Sequence, residues 1–140
     1  MSTTTIHAPT PVRGVLPSDR RRVPDSHLDL VECPRVAALT TVMPDGSPQT
    51  SVVWCDFDGD YIRVNTMRGF QKERNMRRNP RVTLICYDPR DDGRYLEVRG
   101  TVEEMTEDGA LAQTEVPVLC RIRPPHVVAL DVHAGAGTGR

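Results

Sequence analysis

The sequence lacks a large net charge of either sign, long apolar runs and closely spaced cysteines, and it has a single lysine. Its 18 Lys and Arg residues nearly balance 19 Asp and Glu residues, which leaves a formal net charge of −1. No overall basic field therefore favours nucleic acid as a partner. No apolar run approaches the roughly 20 residues of a membrane span, and "MSTTTIHAPTPVRG" lacks the apolar segment of a signal peptide. We expect a cytoplasmic protein with no nucleic-acid and no membrane partner.

Cysteine and histidine are too scattered to suggest a metal site. No CxxC pair occurs, and the four histidines do not have the spacing of zinc ligands. In a cytoplasmic protein, isolated cysteines stay reduced and behave as small buried apolar residues. We predict no metal site, and we expect this buried, reduced state for Cys33, Cys55, Cys86 and Cys120.

The chain divides into one domain and two tails. At 140 residues it is long enough for a single modest core. Residues 1–24 are rich in Thr, Pro and Arg without periodicity, and they are predicted to form a flexible arm. The ending "HAGAGTGR" predicts a second flexible tail over residues 133–140. The folded domain is therefore expected over residues 25–132.

Most of the domain alternates between apolar and polar residues, which predicts strands. "RVAALTTVM" and "QTSVVWCDF" flank a hairpin turn at Asp45-Gly46. "YIRVNT", "RVTLICYD", "RYLEVRGTVEEM", "VPVLCRIRP" and "HVVALDV" continue the pattern, with Val82, Leu84 and Cys86 on one face. "DFDGD" resembles part of a calcium loop, but its glycine comes too early, so a second hairpin is favoured. Six or seven strands indicate a small antiparallel barrel or sandwich.

Three segments have helical features. "DSHLDLVEC" predicts a short helix capped by Asp25 or Ser26. "GFQKERNMRRN" predicts a helix between the third and fourth strands, ended by Pro80. "EDGALAQ" is a further possible short helix.

The helix after the third strand combines features of an anion site. Asn65-Thr66 lead into a turn at Gly69, and the helix N-terminus that follows favours negative charge. Lys72 lies in the first turn, where the helix dipole opposes a cation unless an anion is bound. Gln71 can donate hydrogen bonds beside it, and Asn75 follows three residues after Lys72.

A plainer interpretation of the same helix is a solvated basic face. In that interpretation Phe70 and Met76 hold the helix to the barrel. Arg77 and Arg78 then only complement the helix C-terminus, where cations are favourable. Composition alone leaves both interpretations open.

Three segments carry a family resemblance: "VAALTTVMPDGSPQTSVVW", "VNTMRGFQKERNMRRNPRVTL" and "YLEVRGTVE". From about Arg35 to Val102 the chain resembles the pyridoxamine 5'-phosphate oxidase-like split β-barrel family. Within it, the sequence is most similar to the actinobacterial subgroup that uses the deazaflavin coenzyme F420. The resemblance implies a mainly β (α+β) fold: a split antiparallel barrel of six to seven strands with a short helix between strands 3 and 4.

The resemblance also implies an oxidoreductase and its binding residues. It implies a homodimer that holds F420 at the subunit interface and transfers hydride to a small organic acceptor. The main chain of Ser51, Val52, Val53 and Trp54 would lie beside the ring. Asn65 and Thr66 would reach the ribityl chain or phosphate, Gln71 and Lys72 would hold the phosphate, and Asn75 would steady the loop. No catalytic residue is assigned, and the substrate is not named.

Departures from the family leave alternatives open. FMN-using oxidases that resemble this chain have an arginine where Ser51 stands, which weighs against FMN, yet an FMN-dependent oxidase or reductase remains an alternative. A non-catalytic cofactor-binding protein is another. The segment between Ala110 and Val116 is shorter than the family implies, either by natural deletion or because a loop is missing. A natural deletion favours the non-catalytic alternative, because less chain remains to cover a substrate. A nucleic-acid binder is disfavoured because the arginines near the helix lack interleaved aromatic residues other than Phe70.

Overall fold

The computed structural model describes residues 23–32, 35–107 and 117–131. Within these ranges the chain forms six strands, one α-helix and one 3-10 helix. In chain order they are the 3-10 helix Asp25–Leu30, β1 Arg35–Val42, β2 Pro48–Phe57, β3 Ile62–Met67, α1 Gln71–Arg78, β4 Arg81–Asp88, β5 Asp91–Glu107 and β6 Pro117–Asp131.

The six strands close into a single antiparallel barrel. Their order around the barrel is β1-β2-β3-β6-β5-β4, so β1 and β4 pair to complete the circle. Closure leaves fewer unpaired edges on β-branched strands. The predicted split barrel, with its short helix between the third and fourth strands, is confirmed.

Alternating side chains of every strand fill the interior. On β4 and β5 the inward residues are at most 8% exposed, as the period-two pattern predicts. Three cysteines, Cys55, Cys86 and Cys120, are free and buried in this core, which confirms that prediction for the cysteines that the structure describes. Val23, which was assigned to the arm, is also part of the core.

Two hairpin turns lie where turn residues predict them. Gly46 has a φ of +89°, and the Asp45 carboxylate accepts the Ser47 N–H at 3.0 Å. In the next turn the Asp58 carboxylate accepts the N–H groups of Asp60 and Tyr61 at 2.9 and 2.7 Å. The prediction of a hairpin at "DFDGD" is therefore confirmed.

The last strand is longer than the sequence suggests. The segments "VPVLCRIRP" and "HVVALDV" form one strand, β6, with a bulge near Pro124. Arg99 on β5 is paired with His126 on β6, and Thr101 on β5 is paired with Arg123 on β6. Two steps along β5 therefore match three steps along β6. A bulge accommodates proline because it interrupts the ladder of backbone hydrogen bonds. The barrel consequently has six strands and no seventh in the described ranges.

The predicted cap of the first helix is wrong. Pro24 is the N-cap of the 3-10 helix, and no side chain caps it, so neither Asp25 nor Ser26 does so. The helix is instead fixed by His27, which is 1% exposed. Its Nε2–H donates to the Leu130 carbonyl at 3.0 Å, and its Nδ1 accepts the Ser26 hydroxyl at 2.8 Å. Buried contacts, rather than a cap, hold this segment on the barrel.

The barrel is split between β2 and β3. Only the hairpin end is paired, where Cys55–Phe57 meet Ile62–Val64. Beyond it, β3 pairs with β6, and the first part of β2 pairs with β1 alone among the described strands. The β2 edge from Ser51 to Trp54 therefore faces an opening, which α1 borders.

Several predictions fall outside the described residues. These are most of the arm over 1–24, most of the possible helix "EDGALAQ", the segment between Ala110 and Val116, Cys33 and the tail over 133–140. Neither helix in the described ranges has the length and apolar character that crossing a membrane requires. The same ranges contain no cluster of three or more His, Cys, Asp or Glu side chains able to hold a metal ion.

Candidate functional site

The opening between β2 and β3 contains a groove of about 410 Å³. Two predicted site residues, Trp54 and Asn65, line it from opposite strands. Trp54 is 62% exposed, so one face of its indole is free for a flat ligand. The groove thus brings together an aromatic wall, an amide and the unpaired part of the β2 edge.

Lys72 bridges the opening. It lies in the first turn of α1, and its Nζ donates a 3.1 Å hydrogen bond to the Ser51 hydroxyl on β2. The Phe70 ring centroid lies 5.5 Å from the same Nζ. No carboxylate lies within 4 Å of Lys72 in the described part of the chain. Its positive charge is therefore balanced by no acid there and is available to an anion.

The N-terminus of α1 has no capping side chain. Phe70 is the N-cap residue and makes no side-chain cap bond, so the first N–H groups of the helix have no side-chain acceptor from it. Glu73, in the same turn, instead accepts the Gly69 N–H at 2.9 Å and pairs with Arg77. This arrangement holds the turn before the helix while leaving the helix N-terminus open to an anion.

Asn75 lies at the centre of a buried network. It is fully buried, and its amide nitrogen donates to the Thr41 hydroxyl on β1 at 2.9 Å. Its carbonyl oxygen accepts from Gln71 at 2.8 Å and from Arg78 at 2.9 Å. Asn75 and Gln71 are therefore brought together, and Asn75 anchors α1 to the barrel with its own hydrogen-bonding groups already occupied.

Thr66 is buried with an unsatisfied hydroxyl. Its residue is 6% exposed, and its Oγ1 has no hydrogen-bond partner among the residues that the structure describes. Neighbouring Asn65 instead faces outward into the groove. A buried hydroxyl without a partner costs free energy, which a ligand or a bound water can recover.

The four predicted residues on β2 alternate between the outer and inner faces. Val52 and Trp54 are exposed, whereas Val53 is 3% exposed and points into the core. Val53 can therefore contribute only main-chain atoms to the groove. Ser51 is half-buried, and its hydroxyl is held by Lys72.

Four residues of the site were missed in the sequence. Arg63 and Asp56 form a two-pronged ion pair in the groove, at 2.7 and 2.9 Å, and this hydrogen bonding raises the pKa of Arg63. Only the register of β2 against β3 places them together. Thr41 is likewise found only from the fold. Glu73 had a local signal, because an acid at the third helical position often binds backbone N–H groups before the helix.

The arrangement fits an anionic group of a ligand. Among the described residues it supplies an ammonium group without an acidic partner and a helix N-terminus without a cap bond from its N-cap residue. Phosphate is suited to such a set, since helix N-termini and lysine bind it through charge and N–H donors. The plainer interpretation of α1 holds in part: Met76 is buried, but Phe70 is 53% exposed and does not anchor the helix.

Comparison with known proteins identifies the family. The sequence profile of pyridoxamine 5'-phosphate oxidase matches residues 23–134, most of the chain. The chain belongs to this family. Comparison with curated proteins finds no match. The family resemblance predicted from the sequence is confirmed.

Solved structures of the same fold support this assignment. One, described as an F420 reductase, is 33% identical over 75% of this chain and 98% of its own, with a TM-score of 0.66. A conserved hypothetical protein, Rv2991, from Mycobacterium tuberculosis is 23% identical over 80% and 88%, with a TM-score of 0.62. The haem storage protein HutZ from Vibrio cholerae is 17% identical over 68% and 86%, with a TM-score of 0.55. The last two show the fold alone.

Proposed function

We propose that this protein is a cytoplasmic oxidoreductase that binds coenzyme F420 and reduces a small organic acceptor. The observation that carries the proposal is the hydrogen bond from Lys72 to Ser51 between α1 and the open edge of β2, beside a helix N-terminus that receives no cap bond from Phe70. The 33% identity to a protein described as an F420 reductase supports F420 over other cofactors of this fold. Reduced F420, when bound, would supply a hydride to the acceptor and become oxidised.

The residues at α1 would hold the phosphate of the cofactor. Lys72 contributes its charge, the N–H groups of the first helical turn contribute donors, and Gln71 adds a side-chain amide. Asn65 can bind the neighbouring polyol chain from the outer face, and Thr66 lies beside it at the same strand end with its hydroxyl buried. Asn75 keeps α1 in register with β1 through Thr41.

The edge of β2 would hold the ring. In the described ranges its main chain from Ser51 to Trp54 has no strand partner on the β3 side, so its N–H and C=O groups can bind a heteroaromatic ring. The exposed Trp54 indole shields one side from water. The Arg63 and Asp56 pair borders the same groove and limits where an acceptor can lie.

A homodimer would complete the site. Outward-facing Val36, Val52, Trp54 and Tyr87 are each more than half exposed. Strand register makes Val36 the neighbour of Trp54, and it places Ala38 between Val52 and Ile85. A contiguous apolar surface of this kind is typical of protein interfaces. Because Trp54 belongs to both the surface and the groove, a second copy on this surface would also cover the bound ring.

Ser51 favours F420 over FMN. FMN-using relatives carry an arginine at this position by resemblance, and a guanidinium gives two-pronged phosphate recognition that a hydroxyl cannot provide. Here Ser51 accepts a hydrogen bond from Lys72 and leaves a smaller side chain in the groove. If this protein used FMN, Ser51 would bind the FMN phosphate more weakly than the arginine of the FMN-using relatives does.

Separate titrations with F420 and FMN test the proposal. Cofactor fluorescence should show saturable binding of F420 that the Lys72→Ala variant weakens strongly. Arg90→Ala is the matched control, because the Arg90 side chain is 87% exposed and lies in the β4–β5 turn. If only FMN binds saturably, FMN rather than F420 is the cofactor. If neither binds, the cofactor assignment is contradicted.

Turnover is tested separately. Reduced F420 should be oxidised by the protein in the presence of a panel of quinones, enones and tetrapyrroles. If F420 binds and none of these acceptors is reduced, the chain is a cofactor-binding protein and the enzymatic part of the proposal fails.

A further inference from the structure

A second groove, of about 420 Å³, is lined by neither Lys72 nor Ser51. It extends over β1, β4, β5 and β6. Strand register aligns one residue from each of these strands across it: Thr40, Thr83, Arg99 and His126. Side chains opposite one another on one face of a sheet are close neighbours, so these four form a continuous polar row.

A second row strengthens the positive character of this groove. Arg81 on β4 is paired with Thr101 on β5, which is two residues after Arg99 and on the same face of the strand. Arg81 and Arg99 are therefore diagonal neighbours on adjacent strands, and their backbones are about 7–8 Å apart. Both side chains project from the same face of the sheet, so a small anion held between them would offset their mutual repulsion.

Acidic side chains are missing from the lining. None of the described residues that line the groove is Asp or Glu. Arg81 has no carboxylate within 4 Å in the part of the chain that the structure describes, and Arg99 has only Glu97, whose oxygen accepts from Nε at 3.3 Å. The terminal nitrogens of the Arg99 guanidinium are thus left for a ligand.

The bulge in β6 shapes the groove. Between Arg99 and Thr101, β5 passes Gly100 directly against the backbone of Arg123, where a side chain has no room. Bulges change the direction of neighbouring side chains. Here the bulge lies between the Arg99–His126 pair and the next pair of the ladder, Thr101–Arg123.

We propose that this groove binds the phosphate or carboxylate group of a small anionic molecule. Arg81 and Arg99 supply the charge, His126 supplies a ring nitrogen, and the hydroxyls of Thr40, Thr83 and Thr101 supply further hydrogen bonds. The inference does not depend on the proposed oxidoreductase function, because neither Lys72 nor any described residue of β3 or α1 lines the groove; Thr41 lines it and also accepts the Asn75 hydrogen bond of the first site.

The test is an NMR titration with inorganic phosphate at constant pH and ionic strength, followed at the His126 Cε1–H signal. The His126→Gln variant assigns that signal. We expect a saturable shift, with affinity weakened roughly tenfold or more in each of Arg81→Gln and Arg99→Gln. Arg90→Gln, at an exposed position outside the groove, should bind phosphate like the parent protein.

Citrate is titrated in parallel to distinguish the two sources of the anion. Competition by citrate assigns the groove to carboxylates as well as phosphates, and a response to phosphate alone assigns it to phosphates. No saturable shift, or a shift that both arginine variants retain, overturns the proposal. A shift that Lys72→Ala abolishes would also overturn it, because the phosphate would then lie at the Lys72 site.

Discussion

Lys72 Nζ lies 3.1 Å from Ser51 Oγ and joins the first turn of α1 to the open edge of β2. This bond crosses the one part of the described barrel where β2 has no partner on its β3 side. A lysine at this end of a helix is unfavourable by itself, because the helix dipole opposes its charge. A bound anion converts that cost into a favourable interaction, which is why the lysine marks the site.

Glu73 is expected to position the turn that carries Lys72. Its side chain is 3% exposed and binds the Gly69 N–H and Arg77. Glu73→Ala leaves a buried donor unsatisfied, so we expect a loss of about 1–3 kcal/mol in the free energy of unfolding. Glu73→Gln keeps an acceptor for Gly69 and should lose less. Urea unfolding measures both, with the more exposed Glu104→Ala as control.

A loss no larger than that of Glu104→Ala would contradict the positioning role. The same variants also separate structure from binding. If Glu73→Gln folds normally and still weakens F420, the turn geometry itself contributes to the site.

His27 should make the fold sensitive to acid. Burial lowers its pKa below the ordinary 6.5 in the folded state. As the pH falls below about 6.5, the unfolded chain takes up a proton that the folded chain resists, so stability is present above this pH and falls below it. One such group contributes at most about 1.4 kcal/mol per pH unit. Urea unfolding between pH 7.5 and about 5 measures this slope.

His27→Gln should reduce the slope between these pH values, whereas His126→Gln, at a more exposed histidine, should retain it. An equal slope in His27→Gln and the parent protein would assign the acid sensitivity to other groups.

The exposed apolar surface on β1, β2 and β4 should be a dimer interface. Val52 is 69% exposed near its centre. Val52→Asp places a charge where a second copy would pack, and we expect the dimer dissociation constant to rise roughly tenfold or more. Analytical ultracentrifugation measures it, with Thr106→Asp as the control at an exposed position on β5. A parent protein that stays monomeric at high concentration would exclude this interface.

Gly100 should not tolerate a side chain. A Cβ there would overlap the Arg123 carbonyl oxygen and lie 2.8 Å from Ile122 Cγ2. Because the obstacle is backbone, Gly100→Ala should lower the free energy of unfolding by about 1–3 kcal/mol. Thr106→Ala on the same strand should cost less than about 1 kcal/mol. Thermal and urea unfolding compare the two, and equal losses would mean that β6 moves away at little cost.

The barrel strands were predictable because period-two alternation is a local property. The inward faces of β4 and β5 follow directly from it. The helix α1 was predictable from other local signals, the turn at Gly69 before it and Pro80 after it. The joining of two segments into β6 was not predictable, since Pro124 resembles a strand end unless the bulge is known. The predicted cap at Asp25 or Ser26 was wrong for a similar reason, because the helix is held by the distant contact of His27 with Leu130.

The site was only partly predictable. Lys72 and Asn75 were found from their place at a helix start, but their partners Ser51 and Thr41 lie far away in the chain. Those pairs depend on how β1, β2 and α1 pack, which no local pattern encodes. The position of Asp56 opposite Arg63 likewise depends on the β2–β3 register.

The most direct test of the cofactor site is a fluorescence titration of F420 against the parent protein, Lys72→Ala and Arg90→Ala. We expect saturable binding that Lys72→Ala weakens roughly tenfold or more, because an ionic hydrogen-bond donor is lost. Arg90→Ala should stay within about twofold of the parent protein, because a surface charge contributes little. Equal affinity for F420 in the parent protein and Lys72→Ala would contradict the account.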